Sequence, residues 1–368
     1  MNQFTPQEPN AFNEERATDF AKNKRIKAYI ALSLVIAIFA VSLIVALCRT
    51  PSEAEISSLP ESEAVTDAFA ESSLFLSEQE SESVIESSSE PEEYFPVINV
   101  TTPEGVAAAA IYESDSLHCI YSEYATEQRS IASITKLVTA AVALKYIPLD
   151  TLITVGSELS LVKPDSSVCG LRRGYRLTLE QLLYGLLMSS GNDAAYTIAV
   201  SVAREEAKNP EMSDATAVQY FCTLMNTFAI EIGATHSSFS NPEGWDDENN
   251  YSTVSDLAVI AKYASEQPVI AEISSTVRFN EAIASGEQMS FFNSNLLLHS
   301  DSRFYCPYAT GLKTGSTSGA GKCLVTTVNI DGHEYIAIVL GCPDEETRYT
   351  SMNTLISYIE EYDSLKFS

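Results

Sequence analysis

The folded part of this chain reads as an α+β domain: an antiparallel sheet made from the two ends of the domain, with a helical region inserted between them. Three observations predict it. Short apolar runs bounded by turn residues lie near both ends, over 106–121 and 323–340. Segments rich in helix formers fill the space between, over 133–146, 178–187, 215–231 and 254–266. An amphipathic stretch over 344–362 closes the chain as a helix. Strands at both ends with helices between them can share one sheet only if the ends come together.

Each element has a local reason. Residues 106–113 and 117–121 flank Ser114-Asp115-Ser116, which predicts a hairpin. The run SITKLVTAAVALKY over 133–146 predicts a buried helix. Thr178 can cap the helix over 178–187, with Glu180 in its first turn. In LLYGLLMSSGNDAAYTIA the polar SSGND interrupts two apolar helical runs. Strands over 323–330 and 334–340 are joined by Asp331-Gly332, a favoured hairpin turn.

Composition changes sharply ahead of this domain. Residues 1–27 are polar and end in Lys22, Lys24, Arg25 and Lys27. Residues 28–48 are an uncharged apolar run of 21 residues. At ~1.5 Å of rise per residue, such a helix crosses a hydrocarbon layer of ~30 Å. The basic cluster precedes it and only Arg49 follows at once, which predicts a cytoplasmic N-terminus and an extracytoplasmic domain. A cleaved signal peptide would have an apolar core of about 7–15 residues and a small-residue cleavage site. This run is longer and closes on Leu47-Cys48-Arg49, so an uncleaved single-pass anchor is expected. Residues 49–95 then form an acidic linker. Over 51–95 it holds 12 Ser, 12 Glu, one Asp and no Lys or Arg, a net charge of −13. Such a stretch cannot bury enough apolar surface to offset chain entropy and is expected to be disordered and self-repelling. The globular domain is then 96–368.

Charge and ligand chemistry exclude several classes. With 22 Lys+Arg against 50 Asp+Glu, a formal −28, the chain is not built for nucleic acid, whose phosphates need clustered cations. The seven cysteines show no C-x-x-C, and none of the four histidines sits in H-E-x-x-H, so zinc chemistry is not expected. Nothing in the sequence specifies a protein partner.

Three short motifs carry chemistry. Ser133-Ile134-Thr135-Lys136 opens an apolar helix, where positions three apart share a face. A serine hydroxyl needs a base within reach, and a lysine buried among apolar neighbours loses its proton more easily. S-x-x-K alone is weak, because Ser160-Leu161-Val162-Lys163 repeats it; that copy runs into Pro164-Asp165 and reads as a loop. Ser190-Gly191-Asn192 is either an ordinary interhelical turn or a hydroxyl and an amide presented to a cleft. Lys313-Thr314-Gly315-Ser316 is either a Gly-rich turn before the 323–330 strand or a carboxylate-binding pair. In the second case Gly315 would let an extended ligand approach the backbone.

All three motifs, in this order, resemble those of the serine-type D-alanyl-D-alanine carboxypeptidases, the low-molecular-weight penicillin-binding proteins. The neighbouring words are similar too: IASITKLVTA, LMSSGNDAA, NPEGWDDENNYSTVSDLAVIAKYA and TGLKTGSTSGAGKCLV. The resemblance covers about 96–362 and implies a β-lactamase/transpeptidase-like fold. It implies that Ser133 attacks the carbonyl between the terminal D-alanines of a peptidoglycan stem peptide and that Lys136 takes its proton. It further implies that Ser190 passes a proton to the leaving amine, that Asn192 positions the groups, and that Lys313 and Thr314 hold the terminal carboxylate. The N–H groups of Ser133 and Ser316 would form the oxyanion hole. β-Lactams would acylate the same serine. No metal or organic cofactor is implied.

Two departures stand out. Many members carry a C-terminal β-rich domain and an amphipathic anchor, whereas here the anchor is expected at the N-terminus. Glu243 and Trp245 stand where related sequences resemble N-P-H-G-L; either the segment lines the cleft and alters the preference for the donor peptide, or, the simpler reading, both serve local packing. Competing functions are a β-lactamase on the same fold, a transpeptidase using an amine acceptor, and a non-catalytic wall-binding protein. The last has no need for a Ser–Lys pair.

Overall fold

The computed structural model describes residues 94–368. The expected cytoplasmic tail, the membrane helix over 28–48 and all but the last residues of the acidic linker lie outside the described residues. Among the described residues no helix is long and apolar enough to cross a membrane.

In chain order the elements are β1 (Ala108–Glu113), β2 (Cys119–Glu123), a 3-10 turn (Ala132–Thr135) running into α1 (Lys136–Tyr146), β3 (Leu152–Thr154), β4 (Arg176–Thr178), α2 (Leu179–Leu187) and α3 (Asn192–Glu206). They continue as α4 (Asp214–Ile232), α5 (Val254–Glu266), α6 (Pro268–Ser275), β5 (Arg278–Ala282), β6 (Gln288–Phe292), β7 (Lys313–Thr317), β8 (Gly321–Ile330), β9 (His333–Cys342) and α7 (Glu345–Lys366). The main sheet has five strands in the order β2-β1-β9-β8-β7, and every pair is antiparallel. The N-terminal strand β1 lies against the late strand β9, Ala108 opposite Leu340 and Glu113 opposite Tyr335. The sheet is therefore closed by the two ends of the domain, as the sequence predicts.

Both faces of this sheet are covered, and side-chain alternation divides them. Ile336, Ile338 and Leu340 of β9 pack with the helical region, including Leu137 and Val138 of α1. Tyr335, Ala337 and Val339 point the other way, into a second core with Tyr349, Met352, Ile356 and Tyr362 of α7. The predicted Thr178 cap forms, and α7 has a cap that was not predicted. Thr178 accepts from the Gln181 N–H, with Gln181 rather than Glu180 returning the bond to complete a capping box. Asp344 caps α7 by accepting from the Thr347 N–H at 2.7 Å.

The smaller pieces do not follow from the sequence. The two hairpins β3/β4 and β5/β6 and the short helix α6 were not anticipated. The Lys313-Thr314-Gly315 stretch, open to reading as a turn, is the edge strand of the main sheet, with Lys313 opposite Val325 and Gly315 opposite Cys323.

Candidate active site

The site forms where the start of α1 meets the α2–α3 turn, the 241–247 loop and β7. Ala132, just before Ser133, has φ +50°, a left-handed conformation costly for a residue with a side chain. This bend ends the incoming chain and starts the 3-10 turn that carries Ser133. Two glycines make room for it. A Cβ on Gly315 would sit 2.8 Å from the Ile131 carbonyl oxygen and 3.1 Å from the Ala132 Cβ. The close approach that requires Gly315 in this structure is made by the nucleophile turn. A Cβ on Gly244, whose φ is +89°, would sit 1.9 Å from the Ala132 carbonyl oxygen.

Ser133 is half-buried, whereas Lys136 is completely buried one helical turn further on. The Lys136 ammonium Nζ donates to Ser133 Oγ at 2.8 Å, to Asn192 Oδ1 at 2.8 Å and to the Glu243 carbonyl oxygen at 2.7 Å. These three bonds use all its hydrogens. A neutral amine keeps two hydrogens and gains a lone pair. The amide and carbonyl oxygens can only accept, so they retain both hydrogens. The lone pair is then left to the Ser133 hydroxyl, which becomes the donor. Burial moves Lys136 in that direction: it lowers the lysine pKa to about 7, against an opposing pull from the negative charges of Glu243 and Asp193. The pair can thus generate a serine nucleophile near neutral pH.

The turn between α2 and α3 is shaped by its own polar residues. Ser190 is buried with φ +56°. Gly191 follows with no room for a side chain, since a Cβ would lie 2.7 Å from Asp193 Oδ1 and 2.9 Å from Cys169 Sγ. Asp193 accepts from the N–H groups of Cys169, Gly170 and Leu171, each at 2.9 Å. The Asn192 N–H donates to the Ser167 carbonyl at 2.8 Å. This ties the 165–171 loop to the start of α3.

An open cavity of about 240 Å³ lies over Ser133, lined also by Asn192, Trp245, Asp246 and Ser316. Of the Lys313-Thr314-Gly315-Ser316 motif on β7 only Ser316 lines it. Lys313 is buried, with Nζ donating to the Thr314 carbonyl at 3.0 Å. Burial, with Lys136 and Arg348 adding repulsion, holds Lys313 well below its usual pKa. Thr314 Oγ1 lies 2.8 Å from Ser294 Oγ.

Several contributors were not named as site residues. Asp246 accepts from Ser130 Oγ at 2.9 Å, Thr317 Oγ1 at 2.6 Å and the Gly319 N–H at 2.8 Å, joining the 241–247 loop to the nucleophile turn and the β7–β8 turn. Burial pushes Asp246 up, but these bonds outweigh it and hold the carboxyl below the usual aspartate value. Lys163, from the second S-x-x-K, sits 4.8 Å from the centre of the Trp245 ring. Glu243 is buried, with its backbone carbonyl on Lys136, so local packing alone does not describe it.

Comparison with known proteins agrees with this geometry. The family model described as D-alanyl-D-alanine carboxypeptidase, peptidase family S11, matches residues 98–344. The chain belongs to this family. It is 30% identical over 274 residues to a D-alanyl-D-alanine carboxypeptidase of Streptomyces sp. (strain K15), covering 72% of this chain and 90% of that one. It is 25% identical over 257 residues to D-alanyl-D-alanine carboxypeptidase DacF of Bacillus subtilis, covering 68% of this chain and 61% of that one. The match thus spans less than two thirds of the Bacillus relative. Among solved structures, the Streptomyces K15 DD-transpeptidase aligns with a TM-score of 0.63 at 29% identity, covering 70% of this chain and 98% of that one. A D-alanyl-D-alanine carboxypeptidase from Mycobacterium tuberculosis H37Rv gives 0.62 at 26% identity, over 73% and 96%.

Proposed function

We propose that this family member is a membrane-anchored serine D-alanyl-D-alanine carboxypeptidase that trims peptidoglycan stem peptides. The observation that carries the reading is the 2.8 Å contact between Ser133 Oγ and a Lys136 amine whose other two hydrogens are already engaged. Ser133 Oγ attacks the carbonyl carbon of the penultimate D-alanine as its proton passes to Lys136 Nζ. The carbonyl oxygen becomes an oxyanion. The N–H groups of Ser133 and Ser316, both on residues that line the cavity, would receive it, at about 3 kcal/mol per donor. The C–N bond then breaks. Lys136 returns the proton through Ser190 to the departing nitrogen, and D-alanine leaves. Water attacks the remaining ester with Lys136 again as base, freeing the shortened peptide and Ser133. Asn192 keeps the lysine aimed. Lys313 and Thr314 would hold the terminal carboxylate, whose negative charge would in turn favour the protonated form of the buried lysine. A β-lactam would open on Ser133 by the same first step and persist as an ester.

The 28–48 run would hold the protein in the cell membrane by a single pass, with the catalytic domain outside the cytoplasm where stem peptides are. The acidic linker would space the two. A second reading, transfer to an amine acceptor, is favoured by the K15 relative, which is named both as a carboxypeptidase and as a DD-transpeptidase. Incubation of the full-length protein with a pentapeptide ending in D-Ala-D-Ala, with and without an added amine, separates them. Free D-alanine with the tetrapeptide acid is expected. Amide product in place of the acid would move the reading to transpeptidation, and rapid repeated hydrolysis of penicillin would move it to a β-lactamase.

A further inference from the structure

The buried carboxyl of Glu243 has no part in the steps above, yet the structure builds a place for it. The 241–247 loop lays the Glu243 carbonyl oxygen on Lys136 Nζ at 2.7 Å and turns the side chain inward. Tyr196 of α3 donates its hydroxyl to Glu243 Oε1 at 3.0 Å, fixing the carboxyl plane. Oε2 is buried and makes no hydrogen bond. The residue is only 1% exposed, although it borders the cavity over Ser133. A carboxyl oxygen buried without a donor is costly and would be better replaced by an apolar group, unless its charge matters to a neighbour.

We propose that Glu243 is a positioning residue for the Ser133 reaction, setting the pH at which Lys136 becomes the neutral amine that Ser133 needs. This rests on Lys136 being the base. The surrounding charges have opposite effects. Lys136 is faced by Glu243 from the loop, Asp193 from α3, the Cys169 thiol and Lys313 from β7. Glu243 is faced by Lys136, the Tyr196 hydroxyl and Lys163. Burial raises Glu243 and lowers Lys136, so each group disfavours its own charge while favouring its partner's. The ionised carboxylate holds a proton on Lys136 to a higher pH than burial alone would allow. Removing that charge must therefore extend the neutral amine to lower pH.

The test is the rate of acylation of the full-length protein by a fluorescent penicillin, followed across pH. Glu243→Gln keeps the shape and the acceptor for Tyr196 but not the charge. The acid limb of its profile is expected to move down by about one to two pH units, the effect of one opposite charge at close range. Acylation below the wild-type midpoint should rise as much as tenfold or more, and Glu243→Asp should restore part of the wild-type midpoint. Tyr196→Phe removes only the hydroxyl that supports the ionised carboxyl. It should move the midpoint the same way by less, and it serves if the Gln variant does not fold. Unmoved midpoints, with rates scaled equally at all pH values, would overturn the role. If Lys136→Ala is acylated as fast as wild type, the base assignment itself fails and takes this role with it. That result is distinct from a normal wild-type limb that Glu243→Gln leaves in place.

Discussion

Lys136 is the residue on which the chemistry turns. Burial costs its charged form more than its neutral form, and the protonated state is lost as pH rises through about 7. Acylation of Ser133 should therefore be weak at acid pH and rise to a plateau above neutrality, which a pH series of penicillin labelling would record. Lys136→Ala should slow acylation by about 10²–10⁴-fold, the usual contribution of a positioned base. Gly244→Ala tests the space around Ser133. With φ +89° and the Ala132 carbonyl in the way, the methyl has nowhere to go without moving the nucleophile turn. Acylation should fall and thermal unfolding should show a loss of about 3 kcal/mol. Unchanged kinetics would mean that the turn is softer than its packing suggests.

At the scale of elements, the site depends on loops tied to one another by single carboxylates. Asp193 anchors three successive N–H groups of the 165–171 loop, and Asp246 anchors the nucleophile turn to the β7–β8 turn. Asp193→Ala should cost about 2 kcal/mol of stability because it strands one buried and two partly buried donors. It should also lower the acid limb of acylation, since its charge supports the Lys136 ammonium. Calorimetry and the same pH series read both effects. This is also the scale at which the sequence stops being legible. The helix α5 over Val254–Glu266 matches its predicted bounds because its cap and apolar spacing are local. The three-residue strands β3 and β4 offer no period to read, and β5/β6 alternate with too many polar residues to stand out from a loop. Strand β7 contains Gly315, which favours turns locally; it is extended because β8 pairs with it and the Ile131–Ala132 turn presses on it. In the site, spacing was enough to pair Ser133 with Lys136. The third partner of Lys136 is a backbone carbonyl at residue 243, and no side-chain motif can announce a main-chain acceptor brought in by a distant loop.

For the whole molecule, the closing of the sheet by β1 and β9 fixes the relation between the helical region that carries Ser133 and the sheet whose edge strand β7 carries Lys313. The helix α7 covers the far face, where its buried Tyr349, Met352 and Ile356 each contribute about 1.5–3 kcal/mol. The uncharged 28–48 run leads to a prediction for the intact chain. It should sediment with membranes, resist an alkaline carbonate wash and be released by detergent. Release by carbonate alone would leave the proposed anchor without support.

Mapping the adduct formed when the full-length protein meets a labelled penicillin tests the Ser133–Lys136 pair most directly. The account predicts one covalent ester, on Ser133, absent from Ser133→Ala and greatly slowed in Lys136→Ala. Label on any other residue, or undiminished label in Ser133→Ala, would contradict it.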